Sequence, residues 1–172
     1  MIKPTLFKKS MLLALLAGLT LFACESNDPE PELVVEEITS VLIEFIAPDG
    51  STFTFEGANG TASNQIRLKE NLEYEVVVTL RIGSEDVTKN IADVADQYQL
   101  FMIDGGDART IFRPQDAVGL EATLNSGPEA DCKLNIILAE GLDKESTVAK
   151  GNVREGTGGI DRFFLQSDLF IQ

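Results

Sequence analysis

Asp104 and Asp107 flank Gly105-Gly106, and this pair of carboxylates on a flexible turn comes nearest of any segment to a metal site. Calcium takes six to eight oxygen ligands. The segment supplies two side chains, with Asp93, Asp96 and Asp116 the further carboxylates close in sequence. A Gly-rich β-turn with polar ends uses the same residues, and that reading is preferred. Gly156-Thr157-Gly158-Gly159-Ile160-Asp161 is as glycine-rich as a phosphate loop, but no lysine follows and no helix begins there, so it reads as a loop. Histidine is absent. That excludes Ser-His-Asp and Cys-His nucleophile sets and every His-based metal site. Among the 28 acidic residues no spacing singles out a carboxylate pair for glycoside chemistry. Chemistry would rest on Asp, Glu, Lys, Tyr and hydroxyls alone. The chain is therefore expected to be non-catalytic and to carry no cofactor.

Two cysteines remain to be placed, and they differ. Cys132 sits in Asp131-Cys-Lys-Leu-Asn-Ile-Ile-Leu138, a strand-like run with no histidine anywhere to make a thiolate, so it is expected to be a buried, inert thiol. Cys24 follows a different kind of segment. Lys3, Lys8 and Lys9 form a positive start, and Met11 to Ala23 is a 13-residue run that is apolar apart from Gly18 and Thr20. As a helix it would be about 20 Å long, too short for a ~30 Å hydrocarbon core, and its length and flanks fit a signal peptide. Leu21-Phe22-Ala23-Cys24 resembles the lipobox of bacterial lipoproteins, with Phe22 bulkier than usual as the one departure. The resemblance implies cleavage before Cys24 and lipidation of Cys24, which would hold the protein to a membrane. One acyl group binds marginally and two or more anchor stably, at ~0.8 kcal/mol per buried CH₂.

Removing residues 1–23 leaves 149 residues, one domain by length. It removes three lysines and no acid, so the formal charge moves from −14 to −17. Such a surface repels phosphate, and nucleic acid is excluded as a partner. With Cys24 acylated, Cys132 has no intrachain disulfide partner, and the fold must rest on apolar packing.

Residues 24–35, acidic and carrying Pro29 and Pro31, read as a solvated tether. From residue 36 the hydrophobic period is two. Ile38, Val41, Ile43 and Phe45 mark a first strand, Pro48-Asp49-Gly50 a turn, and Ser51–Glu56 the returning arm of a hairpin. A loop over 57–64 is followed by a short strand at Ile66 and Leu68, then a turn at Glu70-Asn71. Tyr74–Ile82 is the clearest strand. Val87–Ala95 follows helical spacing through Ile91, Val94 and Ala95. Gln97–Ile103, Ala117–Leu124, Cys132–Ala139 and Phe163–Ile171 read as further strands, with a short one over Arg109–Phe112. The expected fold is all-β: an antiparallel immunoglobulin-like β-sandwich of about seven or eight strands with one short helix, over residues 36–172. Phe163, Leu165, Leu169 and Ile171 are expected to close its core.

Glu36-Glu37-Ile38 before a strand, the Phe53-Thr54-Phe55 arm, the Tyr74–Leu80 strand and the Phe170-Ile171-Gln172 ending resemble a group of small Bacteroidota lipoproteins. The acidic residues just after Cys24 also resemble the surface-export signal of such proteins. Members are often encoded beside TonB-dependent outer-membrane receptors. The resemblance implies a lipid-anchored module, exposed at the outer-membrane surface, that serves nutrient uptake with such a receptor as partner. Members carry Asp-Glu-His-Gln before the central aromatic strand; here the stretch is Ala95-Asp96-Gln97-Tyr98-Gln99, so no metal or haem role of that histidine carries over. The other expectation is a structural, fimbria-like assembly subunit acting through strand pairing.

Overall fold

The computed structural model describes residues 37–62, 64–105, 110–144, 154 and 157–172. The signal segment 1–23, the tether 24–35 with Cys24, and Asp107 lie outside the described residues, as do Arg109 and Gly156. The described residues belong to one compact unit, Val35–Gln172.

Alternation of apolar and polar residues builds the strands. In β1 (Ser40–Ile46) every second residue is buried, and β5 (Glu73–Ile82) sends Tyr74, Val76, Val78 and Leu80 inward. The other strands are β2 (Thr52–Ala58), β3 (Thr61–Ala62), β4 (Ile66–Leu68), β6 (Glu85–Asp86), β7 (Tyr98–Asp104), β8 (Thr110–Pro114), β9 (Glu121–Ser126), β10 (Ala130–Glu140) and β11 (Ile160–Ile171). A single described helix, α1 (Thr88–Asp93), buries Ile91. One sheet runs β3-β2-β1-β5-β9-β8, with β6 paired to the end of β5; the other runs β4-β11-β10-β7. Their inner faces share one core, in which Phe45, Val76 and Leu124 of the first sheet join Leu134, Ile136, Leu165 and Leu169 of the second. The protein is a β-sandwich; among the described residues it has one short helix and eight strands of five residues or longer.

Phe163, Leu165, Leu169 and Ile171 are all buried, as their spacing implies. Burying each such side chain is worth ~1.5–3 kcal/mol. Three details depart from the sequence reading. The stretch 57–64 is not simply a loop: β2 runs on through Gly57, whose missing side chain makes room for Leu165, and β3 pairs back onto it. A Cβ on Gly57 would overlap Leu165. Ala117–Leu120 is not strand but a loop, because the Asp116 carboxylate accepts hydrogen bonds from the amides of Val118, Gly119, Leu120 and Glu121. That leaves the ladder to start at Glu121. The pairing is also not wholly antiparallel, since β4 runs parallel to β11 from Ile66 opposite Leu169 to Leu68 opposite Ile171.

Candidate functional site

The sequence candidates fall in separate places. Asp104 ends β7 half-buried, and its Oδ2 accepts from the Thr110 amide (2.6 Å) and hydroxyl (3.2 Å), strapping the start of β8. Asp93 pairs with Lys89 one helical turn away, and Asp116 is taken up by its four amides. Among the described residues no three His, Cys, Asp or Glu residues group as metal ligands would. Cys132 is half-buried and packs at the edge of the core. It is less enclosed than its apolar surroundings in sequence imply.

What the strand order does bring together is a row of glutamates. On the outer face of the seven-stranded sheet, β5 presents Glu73, Glu75 and Val77, β1 presents Glu44 and Ile46, and β9 presents Glu121 and Thr123. The register sets Glu44 and Glu121 on either side of Val77, and Ile46 and Thr123 on either side of Glu75. Neighbouring strands are ~4.8 Å apart and residues rise ~3.3 Å along each, so Glu44 and Glu121 each stand about 8 Å from Glu75, with Glu73 about 7 Å further along β5. None of the four carboxylates makes a hydrogen bond or ion pair among the described residues. Glu56 and Arg81 on the same face do pair, at 3.4 Å.

Two open grooves follow this face and meet at Glu121. The first, about 530 Å³, runs between the β1–β2 turn at Pro48 and Gly50 and the strand residues Glu73, Glu75 and Thr123. The second, also about 530 Å³, lies between α1 and β5, bordered by Asp86, Thr88, Lys89 and Asp116. Its walls are fixed. Thr88 Oγ1 accepts from the Leu80 amide, and Asp86 accepts from the Thr88 amide. Hydrogen bonds from the Thr88 hydroxyl and amide hold the Asp86 carboxyl below its ordinary range. Lys144 reaches across the adjoining loops to donate to the carbonyls of Ala95 and Ala117, the latter at 2.8 Å. Desolvation lowers the Lys144 pKa, against the pull of Asp96 and Asp116. Gly119 has φ +93°, and a Cβ there would press on the Leu100 carbonyl at 3.3 Å.

The outer face of the four-stranded sheet is built differently. Lys133 pairs with Asp168, Arg162 with Glu140, and Gln166 donates to Asn135. The Arg67 guanidinium lies 4.8 Å above the Phe170 ring. Between these pairs runs an apolar row, Phe164–Ile137–Phe101, directly opposed across three strands. At the end of this sheet Tyr98 is 1% exposed beside Glu140; burial first, then the Glu140 carboxylate, pushes its pKa up to about 12.

Comparison with known proteins adds no identification: no family model matches the sequence, and neither a curated protein nor a solved structure does. Among the described residues no helix is long and apolar enough to cross a membrane.

The sequence reading missed the glutamate row. Half its signal was present, since Glu73 and Glu75 alternate with inward residues of β5. The other half, Glu44 and Glu121, joins only through the β1-β5-β9 order.

Proposed function

We propose that this protein is a lipid-anchored, non-catalytic accessory module at the outer-membrane surface, serving nutrient uptake beside a TonB-dependent receptor. The anchor reading rests on Leu21-Phe22-Ala23-Cys24 and the segment before it. The binding reading is carried by one observation, the carboxylates of Glu44, Glu73, Glu75 and Glu121 on a single open face, unpaired among the described residues. Grouped charges without local partners cost stability and favour encounter with a surface of opposite charge. We also read the sandwich as immunoglobulin-like. Its support is the order β1-β5-β9-β8 against β7-β10-β11, which parallels four strands facing three in such domains. Their inter-sheet disulfide and buried tryptophan have no counterpart, since the sequence has no tryptophan and only Cys24 and Cys132.

Topology supports an accessory module over a strand-exchanging subunit. β1 lies between β2 and β5, and β11 between β4 and β10, so displacing either terminal strand would open the core. The test has two arms. Cys24→Ser should abolish incorporation of a fatty-acid analogue and release the protein from membranes; a labelled, membrane-bound serine variant would refute the anchor. Pulldown from detergent-solubilised membranes should recover an outer-membrane receptor with the parent protein. Glu73→Gln/Glu75→Gln/Glu121→Gln should lose it. Equal recovery would refute the docking face.

A further inference from the structure

Asn59-Gly60 is the only Asn-Gly pair in the sequence, and the fold uses both residues to cover an open strand edge. β4 pairs with β11 only along Leu169–Ile171. Nearer the start of β11, Phe164 turns its backbone toward Asn59 and Gly60. Its amide donates to Asn59 Oδ1 (3.3 Å) and its carbonyl accepts from the Gly60 amide (3.0 Å). Asn59 Nδ2 in turn donates to Glu37 Oε1 (3.0 Å), and the Asn59 amide to the Thr39 carbonyl (3.0 Å). Two residues thus tie the first described residues to the last strand. Both are exposed, and Gly60 has φ +75° with nothing within 4 Å of where a Cβ would stand.

We propose that Asn59-Gly60 is a self-modification site whose reaction uncaps the edge of β11. The Gly60 amide gives its proton to a solvent base, and its nitrogen attacks Asn59 Cγ. The new bond from that nitrogen to Cγ forms as the bond between Cγ and Nδ2 breaks, and the departing Nδ2 takes up a proton and leaves as ammonia. Water then opens the cyclic imide at either carbonyl, restoring an amide and leaving one carboxylate. Net, one water is consumed and one ammonia released, with no change of oxidation state. Opening at one carbonyl gives aspartate, which places a carboxylate against Glu37 where a donor had been. Opening at the other routes the backbone through the former side chain, and the added methylene withdraws the Gly60 amide from the Phe164 carbonyl. Glycine is what makes the pair reactive, because no side chain shields the attacking nitrogen. The hydrogen bond to Phe164 must open first, so the folded protein reacts more slowly than an unfolded one. Phe164 is already 43% exposed, and losing its two backbone partners leaves an aromatic-flanked strand edge open to pairing. None of this depends on lipid anchoring or on a receptor.

The test ages the full-length protein in detergent at mildly alkaline pH and maps its peptides by mass spectrometry that separates aspartyl from isoaspartyl products. Asn59 should convert ahead of every other asparagine, with isoaspartate in excess, and severalfold faster in urea. Gly60→Ala, whose Cβ would meet no atom within 4 Å although φ +75° strains it, should slow conversion at least tenfold. Hydrogen exchange on the isoaspartyl fraction should show loss of protection at Gly60 and Phe164, and that fraction should self-associate while unaged protein does not. Conversion of another asparagine first, unchanged conversion in Gly60→Ala, or converted protein with Phe164 still protected would each overturn the proposal.

Discussion

The two outer faces of this sandwich solve the same problem in opposite ways. The four-stranded sheet pairs its charges, Lys133 with Asp168 and Arg162 with Glu140, and closes an apolar row around a fully buried Phe101. The seven-stranded sheet leaves Glu44, Glu73, Glu75 and Glu121 without partners among the described residues, around the half-buried Val77. Pairing and burial stabilise the first face. Apart from the Glu56–Arg81 pair, the second face gains nothing from these four carboxylates within the described residues, and where screening extends over ~8 Å neighbouring ones still feel one another. The difference separates a face that holds the fold from the face proposed to meet a partner.

The largest effect should come from breaking the stabilised face. Phe101→Ala removes a ring with no exposed surface and should cost about 3–5 kcal/mol, read as a fall in the denaturation midpoint. A change below about 1 kcal/mol would mean that this row is not a second core. Next in size is Tyr98→Phe, which removes a buried hydroxyl beside the Glu140 carboxylate and should cost about 1–3 kcal/mol. Its folded pKa of about 12 lies above the ordinary value of 10.0, so the native state keeps the phenol proton where the unfolded state has lost it. Stability from this group is full below pH 10 and declines as pH rises toward 12. Denaturation followed across that window should show a decline in the parent that is absent in Tyr98→Phe; parallel curves would place the alkaline sensitivity elsewhere.

On the acidic face the sign should change. Glu73→Gln, Glu75→Gln and Glu121→Gln should each shift stability by no more than about 0.5 kcal/mol, upward if at all, because each relieves like-charge repulsion. A loss above about 1 kcal/mol for any of them would show a partner that geometry does not reveal. The smallest effect belongs to the exposed Lys89–Asp93 pair on α1, about 0.3–0.5 kcal/mol in a double-mutant cycle.

Much of the fold was legible because the strands alternate cleanly: Tyr74–Ile82 and Phe163–Ile171 stand where their period places them. What was not legible depended on single side chains acting at a distance from the pattern. Asp116 takes the amides of Val118, Gly119, Leu120 and Glu121, which shortens the strand expected over Ala117–Leu124 to begin at Glu121, and nothing in the periodicity marks that residue. Gly57 looked like loop punctuation and is instead a close approach to Leu165. The glutamate row is a product of strand order, since Glu44 and Glu121 are far from Glu75 in sequence and near it only through β1-β5-β9. The apolar row on the other sheet was half visible, as unbroken apolar runs in β7 and β10.

The proposal to be tested most directly is that a partner docks on the seven-stranded sheet's outer face and not on the four-stranded sheet's. A photo-crosslinking residue placed at Glu75, and separately at Gln166 on the opposite outer face, tests it in cells making the full-length protein. Crosslinks from position 75 to an outer-membrane protein, lost in Glu73→Gln/Glu121→Gln and absent from position 166, are the predicted result. Crosslinks from position 166 at equal or greater yield, or none from position 75, would contradict it.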